Sequence, residues 1–397
     1  MLEPRSTHAL LPTPYALGSS TNAKNYTLAR PTWITISGQA LAHNLELLRA
    51  RLPQQTLLAV VKANAYGHGL VPVAQQLESL GIAHFGVALL EEGIMLRASG
   101  IKGDILVMNG AYGNAHQHVR DYQLTPVVYR LDDLHAFAKV GLAKNTGVHL
   151  KVDTGMHRLG IPHQQLDEFL NHCNSLHTLR ITGLMTHFAT ASSNQTTMQQ
   201  QVQRFRQAHQ CLHAHGHDPE WIHTANSDAA LGGQTIYGNM VRLGLPLYGY
   251  EREKNSSLKP ALNIKSRILG MHWLNPGDGV GYDHRFVATH KTHIATVAIG
   301  YADGIPHTLS NRGSVLIRGQ HCPIIGAISM DLMGVDISTV SKASIGDEVT
   351  VLGREDQACI SAQDIAAQDR GLVYDVLTRL SPRVPRFYEH FGQSSGC

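Results

Sequence analysis

Between Thr56 and Tyr250 eight short apolar runs recur: TLLAVVKA ending at Ala63, HFGVAL from His84, DILVMN from Asp104, LTPVVY from Leu124, GVHLKVD from Gly147, ITGLMTHF from Ile181, EWIHTANS from Glu220 and MVRLGLPLYG from Met240. Most gaps between them hold a helix-length amphipathic stretch, such as LDDLHAFAKVGLA from Leu131, although the seventh gap is short. Parallel strands need such crossovers, and eight strand and helix units predict a closed (β/α)8 barrel of the TIM type. After about Ser257 the pattern changes to Val- and Ile-rich runs between glycine turns, as in THIATVAIGY, GSVLIRG and GDEVTVLG. A mainly β domain is expected there. The expected class is therefore α/β, with a loose extension over 1–30, a barrel over 31–257 and a β-rich domain over 258–397. The segment RPTWITISGQALAHNLELLRARL reads as a strand from Trp33 to Ser37 followed by a helix, and the strand suits either domain.

With 397 residues, 43% of them hydrophobic, the chain can bury two cores. The net charge of +3 comes from 33 Lys and Arg spread without a dense basic run, so nucleic acid is not an expected partner. The 25 histidines show no close metal-ligand spacing; no metal is expected, and most histidines are expected at the surface. Cys173, Cys211, Cys322, Cys359 and Cys397 are odd in number and widely spaced, which suits a reducing compartment. The apolar stretches of the first thirty residues are too short for a signal-peptide core or a membrane span, so a cytoplasmic protein without membrane association is expected.

In such a barrel the reactive groups lie where the strands end. The first strand ends at Val60-Val61-Lys62, placing a lysine among apolar neighbours. Desolvation lowers an amine's pKa and prepares it to react as a nucleophile, although a strand-end lysine can also simply snorkel to water. The loops after strands seven and eight, the usual phosphate site, hold Asn226-Ser227 and Gly244-Leu245, where a hydroxyl and glycine-exposed N–H groups would suit a phosphate monoester. Ser227 also reads as a plain helix N-cap. Arg242 falls within the eighth strand, where an inward guanidinium needs an acceptor, and a pyridine nitrogen is one candidate. His187 ends the sixth strand; Lys151, Asp153 and Arg158 gather at the end of the fifth.

The stretch VVKANAYGHG resembles the cofactor-lysine signature of the alanine racemase family. The resemblance continues in order through KVDTGMHRLG from Lys151, THF at His187, HTANSDAAL from His223, VRLGLPLYG from Val241, GYDHRF from Gly281, IGYADG from Ile299, SMDLMGVD from Ser329 and RVPR from Arg383, covering about Pro31 to Tyr388. It implies a head-to-tail homodimer with shared active sites, acting on a small amino acid with pyridoxal 5′-phosphate. Lys62 would carry the cofactor and act as one base, and Tyr282 of the partner subunit would be the second base on the opposite face. Tyr66, Ser227, Gly244, Leu245 and Tyr374 would hold the phosphate, with Asn226 close by. Arg242 would bond the pyridine nitrogen, and His187 would lie against the ring and help Tyr282. Arg158 and the Met330 backbone would address the substrate carboxylate, with Asp331 nearby and Tyr301 of the partner subunit lining the entry. Lys151 stands where family members can carry a carbamate that orients the arginine.

Two positions depart from the family pattern: His157 stands where glycine or serine is expected, and Pro382 where many relatives have tyrosine. IGYADGIP is also similar to racemases that accept serine, leaving a serine-preferring or broad-specificity enzyme as an alternative to D-alanine formation for wall precursors. Readings of other kinds are a non-catalytic pyridoxal-phosphate carrier, which lacks the second domain; a decarboxylase, which Arg242 argues against; and a sugar-phosphate aldolase using Lys62, which leaves the β domain unexplained.

Overall fold

The computed structural model describes residues 30–113, 115–142, 147–176, 179–233, 236–251 and 257–392. It opens with strand β1 (Trp33–Ser37) and a helix over Gly38–Arg51, whose first turn is capped by Ser37 Oγ accepting from Ala40 N at 3.1 Å. Eight strands follow: β2 (Thr56–Val60), β3 (His84–Val87), β4 (Asp104–Val107), β5 (Thr125–Val128), β6 (Val148–Asp153), β7 (Ile181–Met185), β8 (Trp221–His223) and β9 (Met240–Leu243). They coincide with the eight runs read from the sequence. All pair in parallel in the order β9-β2-β3-β4-β5-β6-β7-β8. Across the remaining seam, Asn239 N donates to Ile222 O at 3.0 Å and Arg242 N to Ala225 O at 3.1 Å, so the barrel is nearly closed.

Strand alternation decides what fills it. On β6, His149, Lys151 and Asp153 occupy one face and Val148, Leu150 and Val152 the other, and the residues through Val152 are all buried. The apolar face meets the outer helices, which bury a matching stripe; the helix Leu166–Ser175 buries Leu166, Phe169, Leu170 and Cys173 at i, i+3, i+4 and i+7. The polar face looks into the barrel. Asn44, fully buried on the first helix, donates to Leu247 O and Lys259 O and accepts from Lys259 N at 2.7 Å, fixing the chain as it leaves β9.

The second unit is built from β1, β10 (Leu262–Leu274), β11 (Thr292–Val297), β12 (Ser314–Ile317), β13 (Gln320–Ile325), β14 (Met333–Asp336), β15 (Glu348–Glu355), β16 (Ala358–Ile360) and β17 (Arg386–Glu389). The sheet runs β16-β15-β12-β13-β14-β11-β10-β1-β17, and an extra β15–β10 pairing closes six of these strands into a ring. Register shifts between Ile264 and Lys265 and between Ile268 and Gly270 let the 13-residue β10 serve neighbours on both sides.

The domain limits differ from the sequence reading. One compact unit spans Ser37–Ala261, and the other joins the chain up to Ile36 to Leu262–Glu389. The strand at Trp33 thus belongs with the β unit, because the two end strands of the barrel sheet, β8 and β9, already meet across the seam, whereas β10 offers an antiparallel edge with Ile36 opposite Leu262. The expected extension over 1–30 lies, apart from its last residue, outside the described residues. Cys173, Cys211, Cys322 and Cys359 are free thiols, and no helix among the described residues is long and apolar enough to cross a membrane.

Gly238 sits at the seam, bridged to His223 with φ +115°, and a Cβ there would lie 2.1 Å from Ile222 O. Gly238→Ala is expected to lower unfolding stability by more than about 2 kcal/mol, since a backbone clash has no flexible end to yield. Urea titration checks this; a change within about 0.5 kcal/mol would mean the seam yields freely.

Candidate active site at the barrel rim

Lys62 emerges two residues beyond β2, at the head of a turn of unusual hand. Ala63, Asn64, Ala65 and Tyr66 have φ of 53°, 55°, 52° and 53°, one turn of left-handed helix made without glycine. L-residues resist this conformation by roughly 1–2 kcal/mol each, so the turn needs bracing. Glu92 Oε1 accepts from Ala63 N at 2.6 Å, Asn64 Oδ1 accepts from Leu70 N at 2.8 Å, and Ala65 N donates to Val61 O at 2.8 Å. Burial first, and Arg158 second, hold the Lys62 amine below its ordinary pKa, against the opposing pull of Glu92.

Three further cations share its surroundings, and all four act on His187. Lys151, on the inner face of β6, is pushed down to about 8 by burial and by Arg242, Arg158 and Lys62. Arg242, 4% exposed, donates through Nη1 to His223 O at 2.8 Å and His223 Nδ1 at 3.1 Å, and through Nη2 to Thr186 O at 2.8 Å, Thr224 O at 3.0 Å and His187 Nδ1 at 3.4 Å. Its Nε has no hydrogen bond among the described residues. Burial and the same four cations push His187 down to about 3, so its ring is neutral. Arg158, exposed and without a hydrogen-bond partner among the described residues, follows a turn in which Asp153 Oδ1 accepts from Gly155, Met156 and His157 N. His157 has φ +54°, the left-handed region where glycine is more at ease, which accounts physically for the glycine expected there.

The expected phosphate loops also meet. Ser227 Oγ accepts from Gly244 N at 3.1 Å, and a Cβ on Gly244 would lie 2.3 Å from the Tyr66 hydroxyl, so only glycine leaves this space open. The N-cap of the short helix Ser227–Leu231 is Asn226, whose Oδ1 accepts from Ala229 N at 3.1 Å, and this releases the Ser227 hydroxyl toward the loop. Leu245 opens the 3-10 turn that follows. An anionic group fits here: four cations, an N–H and hydroxyl cradle that a Cβ would fill, and a guanidinium nitrogen with no partner among the described residues.

Lys62, Tyr66, Lys151, Arg158, His187, Asn226, Ser227, Arg242, Gly244 and Leu245 all belong to the barrel unit. Tyr282, Tyr301, Met330, Asp331 and Tyr374 belong to the β unit. Tyr301 and Met330 are neighbours there: Tyr301 N donates to Ser329 O and Ala302 N to Met330 O, both at 3.0 Å. Asp331 is paired with Arg383. Tyr282, Met330 and Tyr301 are 73%, 52% and 43% exposed, a group of large apolar side chains facing outward. Tyr374 is on the helix Val373–Thr378.

Sequence reasoning gave no role to His149 or to the side chain of His223, and most histidines were expected at the surface; these two are 5% and 0% exposed. The usable signal was His149 lying two residues before Lys151 on one strand, hence on the same inward face. One set of metal-ligating side chains comes together among the described residues, Asp167, Cys211 and His215 on two outer helices, apart from the rim set.

A barrel with a strand-end lysine in a cationic rim, carried with a separate β unit, defines a two-domain barrel enzyme. The chain matches the family models for the alanine racemase N-terminal domain over residues 36–252 and the alanine racemase C-terminal domain over residues 261–388. It is 37% identical over 372 residues to the alanine racemase of Geobacter sulfurreducens, covering 91% of this chain and 97% of that one, and 39% identical over 375 residues to that of Sorangium cellulosum, covering 90% and 99%. Its structure is similar to the alanine racemase of Bacillus anthracis with bound L-Ala-P, with a TM-score of 0.86, 30% identity and coverage of 94% and 98%. The enzyme from Streptomyces lavendulae gives a TM-score of 0.85 at 32% identity, covering 91% and 97%. The chain belongs to the alanine racemase family, whose members are isomerases.

Lys151 keeps its proton to about 8 when folded, against an ordinary value of 10.5. Between those values the unfolded chain binds more protons, so this group's contribution to stability rises with pH in that window. Relative to Lys151→Met, the parent's unfolding free energy is expected to climb from neutral pH to beyond that window in denaturant titrations of both. A flat difference would exclude the depressed pKa.

Proposed function

We propose that this chain interconverts L- and D-alanine with pyridoxal 5′-phosphate held at the barrel rim through Lys62. The observation that carries the reading is the gathering of Lys62, Lys151, Arg158 and Arg242 about one neutral imidazole, His187, with the Lys62 amine itself pushed toward neutrality. Two buried cations, Lys151 and Arg242, with Lys62 and Arg158 beside them, call for anions, and a phosphate together with a substrate carboxylate would supply them. Once bound, the cofactor supplies an electron-withdrawing ring that acidifies the substrate Cα–H. Ser227, Gly244 and Leu245 would hold its phosphate, with Tyr66, Asn226 and Tyr374.

Arg242 Nε is the donor left for the ring nitrogen. A guanidinium does not surrender its proton, so a ring nitrogen bonded to it would stay unprotonated, and side reactions that need a stronger electron sink would be held back. His187, neutral and beside Arg242, is suited to lie against the ring. Arg158 and the Met330 N–H, which makes no hydrogen bond among the described residues, would take the carboxylate, with Asp331 nearby and Tyr301 of the partner subunit lining the entry. The lowered pKa of Lys151 favours the neutral amine that carbamate formation requires, and a carbamate there would turn a repulsion of Arg158 into an attraction.

Racemisation removes a proton from one face of Cα and returns one to the other, so two bases are needed. Lys62 is one, and Tyr282 of the partner subunit is the other. The outward exposure of Tyr282, and of Met330 and Tyr301 in the same unit, supports a surface that another chain covers in a head-to-tail homodimer.

Polarimetry on L-alanine and L-serine, with and without added cofactor, tests the reaction: cofactor-dependent loss of rotation with alanine is expected, and activity confined to serine would displace alanine as the substrate. Lys62→Ala should abolish turnover, and Tyr282→Phe should slow it by roughly 10²–10⁴-fold, more in one direction than the other. Mixing these two inactive variants tests the shared site. Exchange of subunits should restore about a quarter of the sites, because a heterodimer pairs an intact lysine with an intact tyrosine once. No recovery after verified exchange would place both bases in one chain.

A further inference from the structure

The opposite end of the barrel holds a cavity that the rim chemistry does not use. It lies where the strands begin, opens to solvent, has a volume of about 90 Å³, and is lined by Phe85 and Met240 among apolar residues and by His149, Asp104, Arg180 and Glu220. That is room for roughly three waters or one small organic acid.

The hydrogen-bond order inside the barrel fixes what His149 presents there. Arginine only donates, so Arg242 Nη1, 3.1 Å from His223 Nδ1, makes that nitrogen an acceptor and leaves the proton of the neutral ring on Nε2. His223 Nε2 lies 2.9 Å from His149 Nδ1, which must then accept. His149 is therefore protonated on Nε2, a donor on a side chain 95% removed from solvent, lining the cavity and without a partner among the described residues. What occupies the cavity has to accept from it.

Arg180, exposed and in no ion pair among the described residues, adds a planar fork suited to a carboxylate. Asp104 is already engaged by His84 Nδ1 at 3.1 Å, and with Glu220 it disfavours a multiply charged anion. The lining is mostly polar, but Leu58, Phe85, Leu106 and Met240 give a short aliphatic tail apolar contacts.

We propose that this cavity is a second binding site, for a small monocarboxylate, seated on His149 Nε2–H and Arg180. An acceptor there polarises both imidazoles, strengthening in turn the bonds from His223 to His149 and from Arg242 to His223, so occupancy reaches the guanidinium at the rim without a conformational change. The proposal holds whatever the rim binds.

Calorimetric titration of the full chain with sodium propionate, run beside Arg180→Gln and Arg158→Gln, separates the two ends of the barrel. A binding component weakened by about tenfold or more in Arg180→Gln, retained in Arg158→Gln and absent with sulfate is expected. An isotherm unchanged by Arg180→Gln overturns the proposal. Crystals soaked in propionate should show a carboxylate oxygen on His149 Nε2; ordered water alone, or binding at crystal concentration only, overturns it equally.

Discussion

A guanidinium buried on the inner face of a barrel strand is the constraint around which this fold is arranged. Arg242 cannot be neutralised cheaply and cannot accept a hydrogen bond, so the barrel answers it with three backbone carbonyls, Thr186 O, His223 O and Thr224 O, at the ends of two other strands. Those bonds hold β7, β8 and β9 together where the parallel ladder is incomplete. They also dictate the tautomer of His223 and, through it, of His149. One obligate donor thereby orders the barrel interior over much of its depth and leaves a single nitrogen, Nε, facing the rim.

Electrostatics and handedness together produce a strand-end lysine with a lowered pKa. Depressing an amine's pKa takes burial and like charge, and the barrel supplies both by ending β2 and β6 with lysines beside two arginines. Such a cluster is unfavourable by itself, which is why the interior is lined with carbonyl oxygens and neutral imidazoles: His187 and His149 sit at about 3 and never add to the charge near neutrality.

Much of this was legible in the sequence because the barrel's strands obey local rules. Eight apolar runs at crossover spacing predicted eight strands, and the rule that chemistry sits at strand ends singled out Lys62, Lys151, His187, Arg242 and Gly244. What the sequence withheld depends on partners distant in the chain. Trp33–Ser37 alternates in a way either domain could use, and only the free edge of β10 settles it. The spine of the β unit, β10 itself, was missed because KSRILGMHWL mixes polar and apolar residues as the strand bends between neighbours. His149 and His223 look like ordinary histidines until the barrel faces them at each other.

The left-handed turn after Lys62 changes how its motif should be understood. Of the letters KANAY, Lys62 offers its amine and Tyr66 its hydroxyl; the side chains between them are short, which a reversed turn tolerates best. Much of the apparent chemical signature is thus a record of backbone hand. Transplanted into a right-handed helix, the same five letters would aim Lys62 and Tyr66 elsewhere and keep the spelling while losing the site.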